Sequence, residues 1–100
     1  MILRERYVKQ PTAGAVSWNT YSDLRGHTEQ LCVNPSVATT TYDLSMTNDN
    51  GDTIYSHKGL KGTFVDDAKI GIFGIHTIAI NNASSSNESF TITLLWAENP

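Results

Sequence analysis

The chain has 100 residues, a mass of 11.0 kDa, 39 % hydrophobic and 17 % charged residues, and a formal net charge of −3. One domain of this length buries roughly 60–65 % of its unfolded surface, so a thin core is possible and disorder is excluded. The acidic balance argues against nucleic acid, the single Cys32 rules out an intrachain disulfide or a thiolate metal cage, and no apolar run is long enough for a signal segment or a membrane span.

Arg4, Arg6 and Lys9 are three of the seven basic residues, and only Glu5 opposes them, so the first ten positions carry +2 and the remainder −5. Residues 1–13 therefore read as a charged arm or as an edge strand protected by its charges. Arg4, Arg6, Tyr7 and Lys9 are the candidate partner-binding residues. Positions 14–97 read as the β core. Thr (12), Ser (9) and Asn (8) fill the chain, and these favour strands and turns over helices.

Met1–Lys9 predicts a strand with a poor core face. Over Gly14–Tyr21, Val16 and Trp18 alternate with Ser17 and Asn19. Arg25-Gly26-His27 predicts a turn, and Thr28–Asn34 a strand centred on Leu31 and Val33 and stopped by Pro35. Cys32, between those two apolar residues, predicts a buried and inert thiol. Tyr42, Leu44 and Met46 then alternate with polar neighbours up to Asn50-Gly51, whose preference for positive φ suits a tight turn. Thr40–Thr47 and Thr53–His57 are thus expected to form a hairpin. Lys58–Gly62 reads as loop, and Asp66-Asp67-Ala68-Lys69 as a single helical turn with carboxylates at its start. Ile75–Asn81 and Ser89–Ala97 flank a polar loop of hairpin length and predict a second hairpin. Seven or eight short strands without crossover helices mean a small antiparallel sandwich or a jelly-roll-like barrel.

No reactive constellation emerges from the motifs. His27, His57 and His76 lack metal-ligand spacing, and His76 alternates with isoleucines, as a packed structural histidine does. In an EF-hand register Gly51 would hold position 6, which puts Met46 at position 1 and His57 at position 12, neither a ligand of such a loop. Asn82-Ala83-Ser84 and Asn87-Glu88-Ser89 match the glycosylation sequon, as chance provides in a chain this rich in Asn and Ser. Trp18, Tyr21 and Trp96 would suit sugar stacking if exposed, but both tryptophans lie in phase with apolar neighbours and read as core. The chain is therefore expected to be non-enzymatic, with no cofactor and no metal.

Tyr42-Asp43-Leu44-Ser45-Met46-Thr47-Asn48-Asp49-Asn50-Gly51-Asp52 resembles the Tyr-Asp-aliphatic segment, ending in Asp-x-x-Gly, of small tailed-bacteriophage virion proteins. A preceding Trp strand (Ser17-Trp18-Asn19), a Pro/Ser/Thr-rich approach (Asn34–Thr41) and the final strands around Ile78–Ala83 and Phe90–Leu94 extend the resemblance over about residues 14–97. The resemblance implies a structural protein of the virion, assembled in the host cytoplasm. The expected role is a capsid decoration or cement subunit on the major capsid protein lattice, as a homo-oligomer and often a trimer. The alternatives are a small neck or tail component, or a carbohydrate- or receptor-binding module of the tail. It implies no catalytic residue, no nucleic-acid partner and no membrane partner.

Overall fold

The computed structural model describes residues 1–85 and 88–98. The order is β1 (Ile2–Lys9), β2 (Val16–Asn19), β3 (Leu24–Pro35), β4 (Thr41–Thr47), β5 (Thr53–Lys61), β6 (Phe64–Asp66), β7 (Gly71–Gly74), β8 (Thr77–Asn81) and β9 (Phe90–Ala97), with no helix among the described residues. One antiparallel sheet runs β1-β9-β3, with β6 and β7 end to end on the far edge of β3; the other runs β2-β8-β4-β5. No strand is shared between them, so the molecule is a β-sandwich and not a closed barrel.

Alternation builds the core. Along β9, Phe90, Ile92, Leu94 and Trp96 point inward and are buried, and Thr91, Thr93, Leu95 and Ala97 point outward. Ile78 and Ile80 of β8 and Tyr42, Leu44 and Met46 of β4 come down from the facing sheet. Tyr42 meets Phe90 edge to face, with centroids 5.1 Å apart. Each such side chain contributes roughly 1.5–3 kcal/mol by leaving water.

The hairpin of β4 and β5 forms as its alternation predicts, with a longer turn than the two residues of a tight one. Only Gly51 takes positive φ there (87°), and the Asn48 side-chain oxygen accepts the backbone N–H of both Asn50 and Asp52 at 3.0 and 2.9 Å. That carbonyl organises the loop from within, which explains the run of short polar residues.

Five sequence expectations are corrected. Ile75–Asn81 and Ser89–Ala97 are not a hairpin: β8 lies in one sheet and β9 in the other. Both bury one face in the same core, so they oppose each other across the sandwich rather than side by side. The crossing is pinned at Ala83 N–H to Gly14 O (2.9 Å), Ser84 N–H to Thr41 O (3.0 Å) and the Thr40 hydroxyl to the buried Glu88 carboxylate (2.7 Å). Ser86 and Asn87 of the predicted loop, and with Asn87 its sequon, lie outside the described residues. Lys58–Lys61 is strand, not loop: a register shift beside Asp43 lets the strand continue, and the Asp43 carboxylate accepts the Gly59 N–H at 2.9 Å. Residues 66–69 form no helical turn; Asp66 closes β6, and the chain detours before β7 while Thr28 bonds Ala68 and Ile70. Arg25-Gly26-His27 is no turn but part of the twelve-residue β3. Cys32 is half-buried on the outer face of β3, because Leu31 and Val33 occupy the inward phase.

Candidate functional site

The predicted partner-binding residues fall on β1, an edge strand and not a detached arm. Its register with β9 is unbroken from Ile2 opposite Ala97 to Lys9 opposite Phe90. The two-residue period splits the set. Arg4 and Arg6 stand exposed on the outer face between Ile2 and Val8, which are 56 % and 55 % exposed. Tyr7 faces the other way and is wholly buried, which removes it from any contact surface. Lys9, half-buried, lays its ammonium over the Trp18 ring 5.7 Å from the centroid, so its charge is partly spent on the core's rim.

Glu5 also points inward, which the charge count does not reveal. Tyr7 O–H donates to its Oε1 at 2.5 Å, and the Tyr21 N–H donates to the same oxygen at 2.8 Å. Oε2 is enclosed and without a partner among the described residues. Tyr7 packs against Trp18 and Tyr21, with centroids 5.6 and 5.0 Å away. Burial, then the hydrogen bond and charge of Glu5, push the Tyr7 phenol far above its ordinary range. The two arginines are thus mounted on a strand whose underside is locked into the core.

Rows across the sheet continue this outer face: Arg6, Thr93, Cys32 and Val65 in one, Arg4, Leu95 and Gln30 in the next. Within these two rows an amide, a hydroxyl, short apolar groups and a thiol cover the inner strands, and the charge sits on β1. Farther along β3, Arg25 stands exposed over Phe73 and Glu29 pairs with Lys69. Such a face suits contact with another protein.

The remaining sequence candidates disperse. His76 is buried, its Nδ1 2.9 Å from Gly74 O, in the link between β7 and β8 and not in a strand. His57 is exposed on β5, 3.4 Å from the Asp66 carboxylate, and His27 lies 2.9 Å from Glu29 on β3. Among the described residues no three His, Cys, Asp or Glu side chains cluster closely enough to hold a metal ion. Trp18 and Trp96 are both buried and present no stacking face; Tyr21 is exposed, with one edge taken by Tyr7. Open clefts among the described residues include one of about 490 Å³ beside Thr12, Gly14 and Ser85, and one of about 410 Å³ beside Asp49, Phe73 and His76.

No protein-family model matches this chain, and no curated protein matches it.

Proposed function

We propose that the chain is a structural subunit of a bacteriophage particle, a capsid decoration or cement protein that binds the lattice of the major capsid protein. The observation that carries this reading is the surface just described: a sheet face with two uncharged rows across its inner strands, bordered by an open, arginine-bearing edge. A small rigid sandwich with that surface works by contact. On a repeating lattice many modest contacts add by avidity, and a closed cyclic homo-oligomer, a trimer by the resemblance, multiplies them further. A place in the neck or tail would use the same surface on a smaller ring. The burial of both indoles weighs against the glycan-binding alternative.

Quantitative mass spectrometry of purified virions from the host that makes this chain tests the proposal. Copies in the hundreds per particle are expected for the capsid surface. A dozen or fewer would move the protein to the neck or tail, and absence from the particle would overturn the proposal.

A further inference from the structure

A sandwich has four lateral edges, and three of them here are closed to an incoming strand. β2 is only four residues long. The β6–β7 edge is interrupted between Asp66 and Gly71. β5 is irregular, with register shifts near both ends of β4 and a Gly59 at φ 68°. Short, broken or bulged strands are how β proteins keep their edges from pairing. β1 is neither short, broken nor bulged: its eight residues pair with β9 without a shift. Charge guards it instead: the outward Arg4 and Arg6 and the inward Glu5 repel a like edge and leave room for a strand of opposite charge. Among the described residues its only hydrogen-bonded backbone neighbour is β9, so alternate N–H and C=O groups along its other side are unpaired.

We propose that β1 is a docking edge that takes an extended segment of a partner chain as an added strand, with acidic side chains at two alternate positions facing Arg4 and Arg6. The proposal rests on the reading of this chain as a contact subunit, and it names the mode and chemistry of that contact. A second copy is the wrong occupant on charge grounds. Antiparallel pairing of β1 with itself about a two-fold axis has two registers of large overlap. One, centred on Glu5, sets Arg4 opposite the second copy's Arg6 and Glu5 opposite Glu5. The other, centred on Arg6, sets Arg6 opposite Arg6. Like charges directly opposed destabilise a strand pair. A segment with acidic residues two positions apart reverses every one of these terms on the outer face, while its backbone completes the open ladder.

The test uses the whole chain and synthetic ten-residue peptides, acetylated and amidated, that alternate Glu with Val and Thr. A Lys-for-Glu counterpart is the charge control. Two further acidic peptides carry N-methyl groups on one or the other alternate set of backbone amides. Fluorescence anisotropy is expected to show the acidic peptide binding at least about tenfold more tightly than the lysine peptide. The double variant Arg4→Glu/Arg6→Glu should invert that preference while its circular dichroism stays that of the parent. One methylated peptide should bind at least about tenfold more weakly and the other should keep its affinity, because only one set of amides faces β1. Amides of Ile2–Lys9 should gain protection from hydrogen exchange. Equal binding of the two methylated peptides, protection at another edge, or a β1-paired dimer in light scattering and exchange would each overturn the proposal. Failure here with the chain still abundant in virions would overturn this docking mode alone. Success with the chain absent from virions would overturn the particle assignment alone.

Discussion

The two flanks of the sandwich carry the same kind of pair, a tyrosine phenol on a carboxylate, put to different uses. On the flank of β1 and β2, Tyr7 donates to Glu5; on the flank of β5 and β6, Tyr55 donates to Asp66 at 2.7 Å. Tyr7 and Glu5 lie on one strand, two residues apart, and the pair is sealed under Tyr21 and Trp18. Tyr55 and Asp66 belong to opposite sheets, so their bond ties the sheets together at the rim, with the His57 and Phe64 rings tilted against each other beside it, centroids 5.1 Å apart. The tie closes the second flank. The first flank is held from beneath by its tyrosine, and its edge stays open. A buried phenol bound to a carboxylate therefore stiffens one strand in the first case and joins two sheets in the second.

The sharpest way to break this comparison is to remove each ring. Tyr7→Ala empties a fully buried site and strips Glu5 of a donor, with an expected loss of about 4 kcal/mol in urea denaturation. Tyr55→Ala, at a rim position 8 % exposed, should cost about 2–3 kcal/mol. The order matters more than the values. A larger loss at Tyr55 would mean that closure of the second flank, and not anchoring of β1, dominates stability.

Alkaline pH comes next in size and should act on both flanks together. Burial, with the hydrogen bond to the carboxylate second, raises the phenols of Tyr7 and Tyr55; Tyr42, buried and near Cys32 and Glu88, is pushed up to about 12. A folded pKa above the unfolded value of about 10 contributes stability that is whole below pH 10 and is lost as pH rises through the folded pKa. For Tyr42 alone the loss by pH 12 is about 2–3 kcal/mol. Tyr42→Phe should remove that share of the alkaline loss; an unchanged alkaline limb would show that the Tyr42 hydroxyl, bonded to Gly62 O, titrates in an already opened molecule.

The flanks also differ in how far local pattern exposes them. Tyr42, Leu44 and Met46 alternate up to Asn50-Gly51, and the β4–β5 hairpin follows from that alone. Period-two alternation marks which side chains of β8 and β9 face the core, but it carries no information on which sheet holds each strand. The crossing depends on distant partners, Thr40 and Gly14, that no window around Asn82 contains. The end of β5 hides for another reason: its bulge is completed by Asp43, sixteen residues earlier. Arg4 and Arg6 are legible as a charge cluster, and alternation places them on one face. The inward turn of Glu5 is not legible, since a carboxylate in an edge strand reads as solvated until Tyr7 and Tyr21 are seen around it.

The smallest expected effect separates the flanks at acid pH. The hydrogen bond from Tyr55 holds the Asp66 carboxyl below its ordinary range, helped by the Ala68 N–H and by His57. A depressed folded pKa contributes stability that is present above the unfolded Asp pKa of about 3.9 and is lost as pH falls through the folded pKa. The tie between the sheets should therefore slacken below about pH 4. Asp66 keeps contact with water, its side chain 23 % exposed, so screening limits the effect to a few tenths of a kcal/mol. Asp66→Asn should flatten the acid limb of the denaturation midpoint by that amount. Relative to the intrinsic rate at each pH, protection from hydrogen exchange at pH 3.5 should fall at β5 and β6 in the parent chain while β1 keeps its protection. If β1 loosened first, the anchoring of that strand by Glu5 and Tyr7 would be the weaker of the two clasps, and the open edge would be a consequence of fraying instead of a built docking strand.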